Sequence, residues 1–164
     1  ADARRSRGLA DTKLVLITDA CYLTKPSVQS ALRRFDENNG EIWAKLDAGT
    51  QAYYEKVNRP NYPLSHVMEN ILDAARVRPI VIQTLWMRVH GDVPPEAEIM
   101  AYCDRLDDVL KNGGQLKLIQ LYTIARRTTE AYATPLTDAE LDSIADVVRS
   151  RVAAPAATFY GVQG

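Results

Sequence analysis

Four short apolar runs recur along the chain, each ending in polar residues and each followed by a helical pattern. They are Leu14-Val15-Leu16-Ile17 ending in Thr18-Asp19, and Glu41-Ile42-Trp43-Ala44 ending in Lys45-Leu46-Asp47. The other two are Ile80-Val81-Ile82 ending in Gln83-Thr84, and Leu116-Lys117-Leu118-Ile119 ending in Gln120-Leu121-Tyr122-Thr123. The runs begin roughly 30–40 residues apart, about the length of a strand plus a returning helix. Strand and helix in repeated order imply a parallel sheet with right-handed crossovers, either doubly wound or part of a barrel. Such folds carry their chemistry at the C-terminal ends of their strands. The sequence therefore says where a site lies before it says what the site does.

A chain of 164 residues is one domain by length and can bury a full core. Its apolar and charged fractions, 46% and 25%, are those of an ordinary globular protein. A formal net charge of −1 argues against a broad basic face for nucleic acid. No apolar stretch approaches the ~20 residues that span a bilayer. Residues 1–12 are polar, with Arg4, Arg5 and Arg7 and no apolar centre, and are expected to be a flexible segment before a domain at 13–164. Cys21 and Cys103 form no CxxC pair and are expected to be free thiols in a reducing cytoplasm. Two histidines, His66 and His90, are too few for a protein-only zinc site.

The first run is apolar throughout, which predicts a strand with helices on both faces. Pro26 suits the first turn of a helix that continues through Phe35, and Asn38-Asn39-Gly40 stops it. A strand over 42–46 leads through a tight turn to Thr50, an N-cap for a helix over 51–57. A rigid loop at 58–63 precedes a helix over 64–76. The third strand covers 80–85, and a long connection, 86–93, carries Arg88 and His90. Pro94-Pro95-Glu96 opens a helix to about 111, and the fourth strand spans 116–122. After a polar loop at 123–135, Thr137 and Glu140 fit a capping box for a helix to about 152. Residues 158–161 form a short extra strand.

Several strand-end residues can carry chemistry. If Ala44 and Leu46 pack on one side, Lys45 and Asp47 point to the other, where they either satisfy each other or meet a polar ligand. Thr18-Asp19 either begins a turn or faces a ligand. The amides of Gln83 and Gln120 beside apolar strand residues need hydrogen-bond partners, from a ligand or from neighbouring backbone. Tyr122 suits a flat ring or a barrel rim. Arg88, His90 and the pair Arg126-Arg127 are loop candidates for binding a substrate, against solvated side chains. The glycine-rich phosphate motifs, the GxSxG elbow and the HExxH zinc motif are absent.

The sequence from 14 to 161 resembles the later part of a radical S-adenosylmethionine domain, nearest the iron–sulfur oxidoreductases related to wyosine synthases and glycyl-radical activating enzymes. The resemblance rests on Leu16-Ile17-Thr18-Asp19-Ala20, Trp43-Ala44-Lys45-Leu46-Asp47-Ala48-Gly49, Val57-Asn58-Arg59-Pro60, Pro79-Ile80-Val81-Ile82-Gln83-Thr84-Leu85 and Leu118-Ile119-Gln120-Leu121-Tyr122-Thr123, in that order. It implies about four βα units of a six-unit partial TIM-type barrel, and cleavage of S-adenosylmethionine to a 5′-deoxyadenosyl radical by the whole enzyme. Thr18, Asp19, Lys45, Asp47 and Thr84 would then face the cofactor or substrate, with Gln120 and Tyr122 near the adenine. Gln83, Arg88, His90 and Arg126 would line the substrate side.

The sequence departs from that family: the glycine-rich strand end that grips the methionine amino group is missing, and Asp19 stands where the family has Asn. The CxxxCxxC loop that holds the [4Fe–4S] cluster is missing, and Cys21 and Cys103 do not replace it, since a cluster needs grouped thiolates. The resemblance thus implies a fragment, inactive alone, whose S-adenosylmethionine and cluster belong to the whole enzyme. Its expected partner is the missing N-terminal half of the barrel, with self-association through the exposed first strand as a consequence of an open edge. The alternative is a non-catalytic α/β module for binding or protein interaction.

Overall fold

The computed structural model describes residues 2–9 and 11–161. A helical turn, α1 (Asp2–Arg5), comes before the first strand, β1 (Leu14–Thr18). Then follow α2 (Pro26–Asp36), β2 (Gly40–Lys45), α3 (Gln51–Asn58), α4 (Leu64–Val77) and β3 (Ile80–Leu85). The chain continues through β4 (Met87–Val89), α5 (Glu96–Lys111), β5 (Leu116–Tyr122), β6 (Ala133–Pro135), α6 (Asp138–Arg151) and β7 (Ala156–Phe159). Five strands form one parallel sheet in the order β1-β2-β3-β5-β7. Each crossover contains at least one helix, as parallel neighbours require. The sheet is a partial TIM-like barrel and does not close on itself: β1 and β7 are its edges.

Local sequence explains where the elements start. Pro26 occupies the first turn of α2, where a missing N–H costs nothing. The Thr50 hydroxyl accepts from the Tyr53 amide at the start of α3. Thr137 and Glu140 close a reciprocal capping box on α6. β7 adds a fifth strand beyond the four repeated units, starting two residues earlier than expected.

Residues paired in register share a face of the sheet, and neighbours along a strand alternate. One face carries Ile42, Ala44, Ile80, Ile82, Ile119 and Leu121, all fully buried. Over it lie Leu32 of α2, Ile71 and Ala74 of α4, Leu106 of α5, and Leu141 and Val148 of α6. Each large side chain buried there contributes about 1.5–3 kcal/mol relative to exposure. The other face carries Val15, Ile17, Glu41, Trp43, Lys45, Val81, Gln83 and Leu85, then Leu118, Gln120, Tyr122 and Phe159.

This second face is the concave side, and it corrects the expectation for β1. Helices cover one face only, so Val15 is 41% and Ile17 56% exposed. An all-apolar run matches a strand buried on both sides, but here it is an edge strand whose inner residues have nothing packed over them.

The connections also hold structure that the sequence reading left as loop. Residues 87–89 and 133–135 pair as an antiparallel two-stranded sheet at the C-terminal rim. Trp86, placed by the sequence in that connection, is fully buried edge-on to Tyr102 at 5.3 Å.

Candidate functional site at the C-terminal rim of the sheet

The β2 end lies under three constraints. Its side-chain parity puts Ala44 and Leu46 in the core and Lys45 and Asp47 on the concave side, as expected. Lys45 Nζ donates to the Tyr122 hydroxyl at 2.6 Å and lies 3.4 Å from Asp47 Oδ1. Burial works against the ammonium, but Asp47 and the Tyr122 hydroxyl outweigh it and hold the Lys45 pKa above its ordinary value. Asp47 Oδ1 also accepts from the Leu85 amide at 2.9 Å, and Oδ2 from Asn58 Nδ2 at 2.9 Å. One carboxylate thus ties the ends of β2, β3 and α3. Lys45 and Asp47 satisfy each other first, and what they offer a ligand is charge already compensated.

Gln83 and Gln120 stand opposite each other on β3 and β5, and Gln83 Nε2 donates to Gln120 Oε1 at 3.3 Å. The side-chain oxygen of Gln83 and the side-chain nitrogen of Gln120 form no further hydrogen bond among the described residues. They are the uncommitted polar groups on the concave face next to Tyr122.

The register removes two residues from that face. Thr84 follows Gln83 and therefore points the other way. Its hydroxyl is fully buried under α5, 2.6 Å from the Tyr102 hydroxyl. Thr18 pairs with Ala44, so it too lies on the helix side, and its hydroxyl accepts from the Ala20 amide at 3.1 Å. Adjacent residues of one strand cannot both face the lumen. Thr84 therefore cannot join Gln83 there, and Thr18 cannot join Ile17. Asp19 Oδ1 accepts from the Cys21 amide at 3.1 Å and shapes the turn after β1, where Ala20 takes φ 63°.

The loop candidates separate in the same way. Arg88, on β4, donates to Gly91 O at 2.8 Å and pairs with Glu140 at the start of α6. It braces the two-stranded rim sheet against a helix. His90 has φ 56° and stacks on Tyr132 at 4.9 Å. Arg59 completes that group: it pairs with Glu130 at 2.9 Å, donates to the Tyr132 hydroxyl and lies over the Tyr132 ring. These contacts strap the loop after α3 to the loop before β6. Arg126 and Arg127 are different: both are exposed and line a cavity of about 790 Å³ with Leu85 and Tyr122.

Two supports were invisible to sequence reading. Glu98 of α5 is 4% exposed and accepts from the amides of Gly49 and Thr50 and from the Thr50 hydroxyl, the last at 2.6 Å. Gly49 itself lies against the α5 backbone at Ala101 and Tyr102, where a Cβ has no room. In sequence Glu98 is an acidic residue in a first helical turn, and nothing there marks it as buried.

Neither cysteine suits a metal cluster. Burial, with Asp19 adding to it, pushes the Cys21 thiol up to about 11, and burial also raises the Cys103 thiol. Among the described residues no group of three His, Cys, Asp or Glu side chains could hold a metal ion. The residues present do not fit a [4Fe–4S] cluster. Among the described residues no helix is long and apolar enough to cross a membrane.

No protein-family model matches the sequence, and no curated protein matches it. Among solved structures, the fold matches a radical SAM methyltransferase from Sphaerobacter thermophilus with a TM-score of 0.63 and 13% identity. The match covers 91% of this chain and 40% of that one. At that identity the likeness is one of fold alone, a partial α/β barrel of parallel strands, and the chain spans 40% of the matched protein's length.

Proposed function

We propose that this chain is the later part of a radical S-adenosylmethionine enzyme, of the branch that resembles iron–sulfur oxidoreductases, and forms one wall of its active-site cavity. The observation that carries this reading is the concave strand-end surface. Lys45, Asp47, Gln83, Gln120 and Tyr122 gather at the carboxyl ends of three adjacent parallel strands, where such barrels do their chemistry. In the whole enzyme of this reading, a [4Fe–4S] cluster held elsewhere in the protein would supply the one-electron reduction of S-adenosylmethionine, and this chain would only line the cavity. That cluster would be held by another part of the protein, since among the described residues no group of three His, Cys, Asp or Glu side chains could hold a metal ion.

Within this wall the roles divide. Gln120 offers a donor to the adenosyl part of the cofactor, and Gln83 offers an acceptor on the substrate side. Asp47 fixes the strand ends through the Leu85 amide, and Lys45 with Tyr122 fixes the spacing of β2 and β5.

The test is the reading frame that encodes the chain. A CxxxCxxC about 60–100 residues upstream, the size of two βα units, supports the reading. Anaerobic reconstitution of that longer protein with iron and sulfide should then give iron–sulfur absorption and 5′-deoxyadenosine. A frame with no such loop favours the second reading, a non-catalytic α/β binding module, to which the mutual satisfaction of Lys45, Asp47 and Tyr122 already corresponds.

A further inference from the structure

The loop after β5 makes a cavity of its own at the mouth of the concave face. Leu85 and Tyr122, the last inward residues of β3 and β5, form its floor, and residues 123–129 form its side. The loop is anchored at its base: Thr123 Oγ1 accepts from the Leu136 amide at 2.8 Å, and Thr128 Oγ1 donates to Ala133 O at 3.0 Å. A second hollow of about 450 Å³ lies against the same loop.

The charge of this cavity is unbalanced. Arg126 and Arg127 line both hollows, and no acidic residue lines either. Neither arginine has an ion-pair or hydrogen-bond partner among the described residues. Three other cations of the rim are paired: Arg59 with Glu130, Arg88 with Glu140 and Lys45 with Asp47. Glu130, the acid of the same loop, is therefore already engaged. Two guanidinium groups beside an apolar and aromatic floor, with no counter-charge, suit an oxyanion attached to an organic body.

We infer that this cavity is a binding site for a small organic anion, a phosphate monoester or a carboxylic acid. Its charged group is held by Arg126 and Arg127, and its body rests on Leu85 and Tyr122. The inference deepens the proposed function by naming a substrate class, but it rests on a cavity that needs neither cluster nor S-adenosylmethionine. Its failure would leave the radical SAM reading standing, and the loss of that reading would leave the cavity.

The experiment is an NMR titration of the 164-residue chain with phenyl phosphate, phenol and inorganic phosphate. Phenyl phosphate should shift the backbone amides of residues 123–129 and the side-chain amide of Gln120, and should do so at lower concentration than either fragment. The double variant R126Q/R127Q should weaken it by about tenfold or more and remove most of its salt dependence. R126K/R127K should recover part of the loss, since charge returns without the planar fork. The variant R33Q/R34Q, which removes an exposed pair on α2, should bind like the parent. Equal weakening by both Gln double variants would overturn the assignment. So would shifts centred away from residues 122–129, or phosphate alone binding as well as phenyl phosphate.

Discussion

Lys45 Nζ on β2 lies 2.6 Å from the Tyr122 hydroxyl on β5, with β3 between the two strands. The lysine reaches over its neighbour strand, where its register partner Gln83 is turned toward Gln120. Asp47 completes the arrangement from the next inward position of the β2 end. The rim of the concave face is thus cross-linked by polar side chains before any ligand arrives.

The two halves of the ion pair should behave unequally. Asp47→Ala leaves the Leu85 amide, Asn58 and a half-buried ammonium without their acceptor, and should cost about 2–4 kcal/mol. Lys45→Met leaves Asp47 with two hydrogen-bond donors and should cost about 1 kcal/mol. Urea denaturation of both variants measures the difference. Equal losses would mean that Asp47 acts through Lys45 alone.

The Gly49–Thr50 turn depends on α5 at two points. Gly49→Ala pushes a methyl group into the Ala101–Tyr102 backbone, which cannot move as a flexible side chain could. Glu98→Ala strands the Gly49 and Thr50 amides in a buried setting. Each change should cost about 2–4 kcal/mol and lower the thermal midpoint by about 5 °C or more. A Gly49→Ala protein with a parental midpoint would show that the turn can move away from α5.

Much of this fold is legible in the sequence, and the parts that are not share a cause. The strands at 14–18, 80–85 and 116–122, and the helices between them, follow from apolar runs, proline starts and threonine caps, all of which are local signals. β4 and β6 are three residues long, too short for any period to show, and pair only because the chain brings them together. The facing of Thr84 is not legible from family likeness, which places a whole strand end at a site, whereas the pleat admits every second residue. The facing of Lys45 and Asp47 is legible because alternation with the apolar Ala44 and Leu46 fixes it. The burial of Glu98 and the free charge of Arg126 and Arg127 depend on tertiary neighbours, which one sequence does not contain.

Acid should find a specific weak point at the N-terminal end of the sheet. Glu41 is 7% exposed; burial opposes its ionisation, but hydrogen bonds from Lys117, Trp43 and Lys13 prevail and hold its carboxyl at about 2. A folded pKa below the unfolded one adds stability that is complete above the unfolded value and is lost as the pH falls toward 2. With both lysines about half exposed, this share is on the order of 1 kcal/mol. Glu41→Gln should lower stability at pH 7 and flatten its decline between pH 5 and 2, measured by urea midpoints across that range. A parallel decline in variant and parent would place the acid sensitivity elsewhere.

The open edge makes the last prediction. β1 presents unpaired backbone groups on its outer side, and its inner residues Val15 and Ile17 meet solvent. Strand edges of this kind template pairing with another chain unless charge or proline blocks them, and the 14–17 segment carries neither. The isolated chain should therefore self-associate through β1, with a sedimentation coefficient that rises with concentration. Ile17→Lys places a charge on the exposed inner face without touching the core under the helices, and should return the chain toward monomer while leaving its thermal midpoint nearly unchanged. A parent chain that stays monomeric at millimolar concentration would show that the edge is protected by something other than pairing.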